Sequence, residues 1–151
     1  MKLGHCMTAL ITPMTDTGEL DLTALSNLVE KLIAEGCDGF VVCGTTAEAS
    51  ALSREEKQQV LRCVLKQSEG RVCVWMGCGT NNTAETLDLI RWVNAEPVDG
   101  IMLVCPYYVR PSQQGLYAHF AACARVSEKP LMLYNVPKRS GVALSAETVI
   151  R

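Results

Sequence analysis

Short runs of apolar residues alternate along this chain with longer stretches whose apolar positions recur at helical spacing. Five runs read as strands: Cys6 to Ile11, Gly39 to Cys43, Val72 to Met76, Ile101 to Cys105 and Pro130 to Tyr134. Counted from Cys6, Asp38, Arg71, Asp99 and Pro130, the pattern repeats every 28 to 33 residues, the length of one strand plus one helix. Leu25, Leu28, Val29, Leu32 and Ile33 share one face of a first helix. Ser53-Arg54-Glu55-Glu56 is a capping box ahead of Val60, Leu61, Val64 and Leu65, and Asn82-Thr83-Ala84-Glu85 plays the same part ahead of Leu87, Ile90 and Val93. Ser112 caps a fourth helix that buries Leu116, Phe120 and Cys123, and Ser145 begins a fifth that runs to Arg151. Glu35-Gly36-Cys37-Asp38-Gly39 is echoed by Glu96-Pro97-Val98-Asp99-Gly100, 61 residues on, which is two units.

Strands that are apolar on both faces, each followed by a helix, imply a parallel sheet covered by helices. An open doubly wound sheet and a (β/α)8 barrel both satisfy this, and both place ligands at the C-terminal ends of their strands. The turn after the first strand, Thr12-Pro13-Met14-Thr15, lacks the glycine-rich phosphate fingerprint of a dinucleotide fold.

Composition narrows the partners more than the fold. With 151 residues, 48% hydrophobic and 20% charged, the chain reads as one globular domain over residues 1–151 with room for a sizeable core. A formal net charge of −2 and two histidines leave no basic stripe for a nucleic acid. No apolar run approaches the roughly 20 residues of a membrane span, and Met1-Lys2-Leu3 leads into a segment broken by Thr8, Thr12 and Pro13, so a cytoplasmic protein without a targeting peptide is expected. None of the eight cysteines forms a C-x-x-C pair with metal spacing, and neither a metal nor a cofactor is expected. Cys6, Cys43, Cys73 and Cys105 fall in or beside strands, where a thiol acts as a small buried hydrophobe. Buried reduced thiols are the expectation, and Cys78, in a loop, is the only one to watch for reactivity.

Candidate chemistry gathers after the strands. Gly44-Thr45-Thr46-Ala47-Glu48 ends the second strand, and hydroxyls and N–H groups at such a turn form a seat for a small carboxylate or phosphate. The same residues also suit a plain strand-to-helix connection. Gly77-Cys78-Gly79-Thr80-Asn81, Pro106-Tyr107-Tyr108 and Tyr134-Asn135-Val136-Pro137 share that rim, whereas Ser68-Glu69-Gly70 and Ser127-Glu128-Lys129 at the other end are surface turns. Threonine and tyrosine hydroxyls in line can relay a proton.

Three segments carry a specific resemblance: Gly44-Thr45-Thr46-Ala47-Glu48, the run from Pro106-Tyr107-Tyr108 to Gly115-Leu116-Tyr117, and Tyr134-Asn135-Val136-Pro137-Lys138-Arg139-Ser140-Gly141. They resemble the signatures of the dihydrodipicolinate synthases, in the N-acetylneuraminate lyase superfamily of class I aldolases, in register from about Leu3 to Arg151. The resemblance implies a (β/α)8 barrel truncated after about five βα units, without strands 6 to 8. It also implies Schiff-base chemistry, in which pyruvate condenses with a lysine amine and the enamine attacks aspartate semialdehyde, a step of lysine biosynthesis. On this resemblance Thr45 and Thr46 hold the pyruvate carboxylate, Tyr134 passes protons through Thr45 to Tyr108, Tyr108 reaches into a neighbouring copy's site, and Arg139 receives the second substrate's carboxylate.

Two departures accompany it. The family's Gly-Thr-Thr-Gly-Glu-Ser stands here as Gly-Thr-Thr-Ala-Glu-Ala, with Ala47 and Ala49 in place of glycine and serine. The imine-forming lysine belongs to the family's sixth strand, beyond this sequence. Lys2, Lys31, Lys57 and Lys66 fall at the terminus or on helices, Lys129 lies at the wrong end of the fifth strand, and Lys138 sits in an exposed loop that does not desolvate an amine. The expected protein is therefore a truncated relative of the synthase, non-catalytic alone and held together as a homodimer or higher oligomer that covers open sheet edges. Two alternatives stand beside it: an active lyase completed by a partner chain, and a module that binds pyruvate or another small carboxylate.

Overall fold

A computed structural model describes residues 3–151. Met1 and Lys2, and with them the readings of a terminal lysine and of a chain start without a targeting peptide, lie outside the described residues. The chain divides into two compact units, one reaching to Gly77 and including Pro97–Asp99, the other formed by Cys78–Glu96 and Gly100–Arg151.

In the first unit, β1 (Met7–Ala9), β2 (Gly39–Val42) and β3 (Cys73–Gly77) pair in parallel, with Met7 opposite Gly39 and Gly39 opposite Cys73. Every residue of β2 and β3 is buried, as the unbroken apolar runs require of strands covered on both faces. Two helices pack together here, α1 (Leu22–Ala34) and α2 (Arg54–Ser68). Asp21 caps α1 by accepting from the Ala24 N–H, and Leu25 and Val29 carry its buried stripe. At α2 both halves of the capping box form: the Ser53 hydroxyl accepts from the Glu56 N–H at 3.1 Å, and the Glu56 carboxylate accepts from the Ser53 N–H at 2.7 Å.

The second unit holds α3 (Thr83–Asn94), β4 (Gly100–Val104), α4 (Gln113–Val126) and β5 (Leu131–Tyr134), with β4 and β5 parallel and Ile101 opposite Leu131. Asn82 accepts from the N–H groups of Ala84 and Glu85, and Ser112 from that of Gly115, but the capping box expected at Asn82 forms by half only, because the Asn82 N–H donates to the Thr80 hydroxyl at 3.1 Å instead of to Glu85. Thr86 and Leu89 join Ile90 and Val93 as buried residues of α3 while Leu87 is half-buried, so the stripe begins one residue earlier than expected. On α4 the expected Leu116, Phe120 and Cys123 are joined by His119, whose Nδ1 lies 2.8 Å from the Thr83 hydroxyl. Two short helices follow, α5 (Pro137–Ser140) and α6 (Ala146–Ile150), the latter capped by Ser145 as expected. The periodicity did not reveal α5, because four residues are too few to show a period.

Two cysteine readings are corrected. Cys6 is exposed: β1 starts one residue later, and the carboxylate of Asp38 accepts the N–H groups of His5 and Cys6 before the strand begins. Cys78 is 1% exposed rather than a reactive loop thiol, since its N–H continues the ladder to the Met102 carbonyl and carries the side chain inside. Cys43, Cys73 and Cys105 are buried, as expected. No helix among the described residues is long and apolar enough to cross a membrane.

Candidate functional site

The end of β2 is built under backbone constraint. Cys43, with φ 53°, and Glu48, with φ 55°, are both left-handed, and they bracket Gly44 and the 3-10 turn Thr45–Ala47. Non-glycine residues in that region cost on the order of 1–3 kcal/mol each and persist where the surroundings dictate them. Gly77 supplies one such constraint: a Cβ there would lie 2.3 Å from the Cys43 carbonyl oxygen, so only glycine lets the two backbones approach. Thr12 supplies another, donating its hydroxyl to the Ala47 carbonyl at 2.9 Å. Ala47 is buried in the turn, and the positive φ falls on Glu48 beside it, so the turn itself accepts alanine where the family has glycine.

Thr45 is half-buried and Thr46 exposed. Among the described residues neither their hydroxyls nor their N–H groups take a hydrogen-bond partner, while the Ala47 and Glu48 N–H groups close the turn onto Gly44 and Thr45. Four unengaged donors on a constrained turn are what a small carboxylate would need. The Cys43 thiol beneath is pushed up to about 12 by burial, against the pull of the Lys57 charge, and therefore stays neutral. Lys57, assigned by the sequence to a helix and set aside, is on α2 but buried at 7% exposure. It shares the buried stripe of α2 with Val60, Leu61 and Val64, a position legible from its spacing to them.

The tyrosines and Arg139 belong to the second unit. The Val109 N–H bonds back to the Tyr107 carbonyl at 2.8 Å across Tyr108, whose φ is 70°, a γ-turn of the strained kind, and Arg110 follows at φ 46°. The turn pushes Tyr108 out to 88% exposure. It is stitched to α5, because the Tyr108 N–H donates to the Ser140 carbonyl at 3.3 Å, and the Arg110 guanidinium covers Gly141, where an added Cβ would meet Nε at 3.1 Å. Arg139 and Lys138 are exposed on α5, and Lys138 thus stands on a helix rather than in the expected loop. Tyr134 closes β5, half-buried. The Tyr107 phenol is pushed above its usual value, first by burial and then by the Glu85 carboxylate. The fold thus brings Thr45 to Thr46 in one unit, and the Tyr108 turn to the helix of Arg139 in the other. Among the described residues no group of His, Cys, Asp and Glu side chains is arranged to hold a metal ion.

Residues 2–151 match the Dihydrodipicolinate synthetase family. 4-Hydroxy-tetrahydrodipicolinate synthase 2 of Halalkalibacterium halodurans is 48% identical over 151 residues, which is 100% of this chain and 52% of that protein. The dihydrodipicolinate synthase DapA-2 of Bacillus anthracis superposes with a TM-score of 0.96 at 43% identity, over 100% of this chain and 52% of the other. The chloride-inhibited synthase of Acinetobacter baumannii, solved with pyruvate, also superposes at 0.96, with 41% identity over 99% of this chain and 52% of its own. The chain spans about half the length of the curated relatives it matches, and five βα repeats are the corresponding part of a (β/α)8 barrel. It therefore belongs to the dihydrodipicolinate synthetase family.

Proposed function

We propose that this 151-residue chain is a dihydrodipicolinate synthase-like partial barrel, non-catalytic by itself and held together by self-association, that keeps the family's seat for a small carboxylate such as pyruvate. In this reading Thr45 and Thr46 hold the carboxylate, Tyr134, Thr45 and Tyr108 are the remnant proton relay, and Arg139 meets the carboxylate of a second substrate. The observation that supports it most is the strained turn between Cys43 and Glu48, which presents four donors with no partner among the described residues. Left-handed non-glycine residues at such a point, beside the close approach at Gly77 and the Thr12 hydrogen bond, support reading the turn as a site. Among the described residues no lysine stands on a strand, and Lys138 is exposed, which argues against imine formation by this chain alone.

Calorimetric titration with pyruvate tests the seat. Thr45→Val and Thr46→Val each remove a hydroxyl of the same shape, and each is expected to weaken binding by about tenfold or more, as loss of a hydrogen bond to a charged group does. Equal affinity of wild type and both variants would remove the seat from the account. A variant chain that is active only when the C-terminal half of a relative is added would favour completion by a partner instead.

A further inference from the structure

In the first unit one side chain fastens the segment before β1 to the start of β2. The Asp38 carboxylate accepts the N–H groups of His5 at 2.8 Å and Cys6 at 2.7 Å, while the Asp38 N–H donates to the Cys6 carbonyl at 3.2 Å. A Cβ at Gly4 would lie 2.5 Å from Asp38 Oδ1, so glycine is what lets the segment close over that carboxylate. Cys6 is thereby fixed on the residue that follows Cys37. The Cys37 sulfur lies 3.2 Å from the Cys6 carbonyl oxygen, 3.1 Å from the Thr8 hydroxyl and 3.0 Å from the Gly39 carbonyl oxygen. Met7 stands opposite Gly39, which puts Cys6 opposite Asp38 and one residue along from Cys37. With strands about 4.8 Å apart and a rise of about 3.3 Å per residue, the two Cα atoms are about 6 Å apart, inside the roughly 4.4–6.8 Å range of disulfides.

Among the described residues Cys6 is the one exposed cysteine, and Cys37, 7% exposed, is the thiol set against its backbone. We propose that Cys6 and Cys37 are a thiol–disulfide pair, a modification site oxidised by a small disulfide of the glutathione type. In the first step the Cys6 thiolate attacks one sulfur of the small disulfide, whose S–S bond breaks and releases one thiolate. In the second, Cys37 gives up its proton and its sulfur attacks the Cys6 sulfur of the mixed disulfide, releasing the second small thiolate. Two protein thiols are oxidised to one disulfide, and the small disulfide is reduced to two thiols that carry the two protons. The new bond closes a loop around α1 and locks the segment before β1 to the turn before β2. The pair is independent of the carboxylate seat.

The test incubates the native 151-residue chain with glutathione disulfide at about pH 8, where a free thiol is partly ionised, then blocks the remaining thiols and records the intact mass and the linked peptides. Wild type is expected to lose two hydrogens, to yield a linked peptide pair containing Cys6 and Cys37, and to lose its fast alkylation at Cys6. Cys37→Ser is expected to stall with one glutathione on Cys6, and Cys6→Ser to leave Cys37 reduced. Should Cys37→Ser melt lower than wild type, the peptide map of the wild type decides alone. A wild type that stays fully reduced, keeps glutathione on Cys6, or joins Cys6 to any other cysteine of its own or a second chain would overturn the pairing.

Discussion

His119 shows how a single buried side chain ties stability to pH. It is the second-unit residue held between the Thr83 hydroxyl at 2.8 Å and the Cys123 sulfur at 3.9 Å, and burial alone holds its pKa below the usual histidine value. The unfolded chain therefore takes up a proton first as pH falls, and the stability that neutral His119 contributes, complete above about pH 6.5, is lost as pH drops through and below that point. Urea midpoints are expected to fall between pH 7 and pH 5, and the slope is expected to flatten in His119→Gln. The carboxylates of Asp38 and Glu147, whose pKa values are lowered by hydrogen bonds to them, act in the same direction only at lower pH. Thiol chemistry offers a second check at this scale. Alkylation of the native protein is expected to modify the exposed Cys6 well before Cys43 or Cys123, whose thiols burial pushes up to about 12 and about 11. The sequence groups Cys6 with Cys43, Cys73 and Cys105 as buried and singles out Cys78 for possible exposure, whereas Cys6 is exposed and Cys78 buried. Whether a residue at a strand end is inside depends on where the ladder starts, and a period of two over three residues does not say.

Among the elements, α2 and the turn before it carry the most information per residue. The capping box of Ser53 and Glu56 was legible because its two bonds are local and its residue types are few. Ser53→Ala is expected to cost about 1 kcal/mol, read as a lower urea midpoint at unchanged slope. The turn itself was legible only as a composition, Gly-Thr-Thr; its left-handed residues were not, since they sit where Cys43 and Gly77 on β3, 34 residues apart, come closer than any side chain at 77 would allow. Gly77→Ala is expected to cost about 1–3 kcal/mol by overpacking and to weaken pyruvate binding as well, because the donors of Thr45 and Thr46 are set by the backbone that would have to move. Lys57 stayed hidden for a related reason. A lysine on a helix is exposed far more often than not, and only the packing of α2 onto the first unit shows that this one is inside. The strands, by contrast, were found to within two residues at each end, because β2, β3 and β4 are buried on both faces and so read as continuous apolar runs.

At the scale of the molecule, the repeat of βα units and the three signatures pointed to a part of a barrel, and the match over residues 2–151 to about half of each relative agrees with that. All four residues of β5 are only half-buried although β4 beside it is fully buried, and Val149 and Ile150 of α6 are exposed. Strand edges and apolar faces of that kind seek a cover, and self-association is the cover proposed for this chain alone. Light scattering at micromolar concentration is expected to give a dimer or larger. The claim on which the rest depends is that these 151 residues hold the keto acid without bonding to it. Incubation of the purified chain with pyruvate and borohydride, followed by intact mass measurement, tests this most directly. The account expects the unmodified mass, together with pyruvate-dependent thermal stabilisation in the absence of borohydride; a covalent pyruvyl adduct on any lysine of this chain would contradict it.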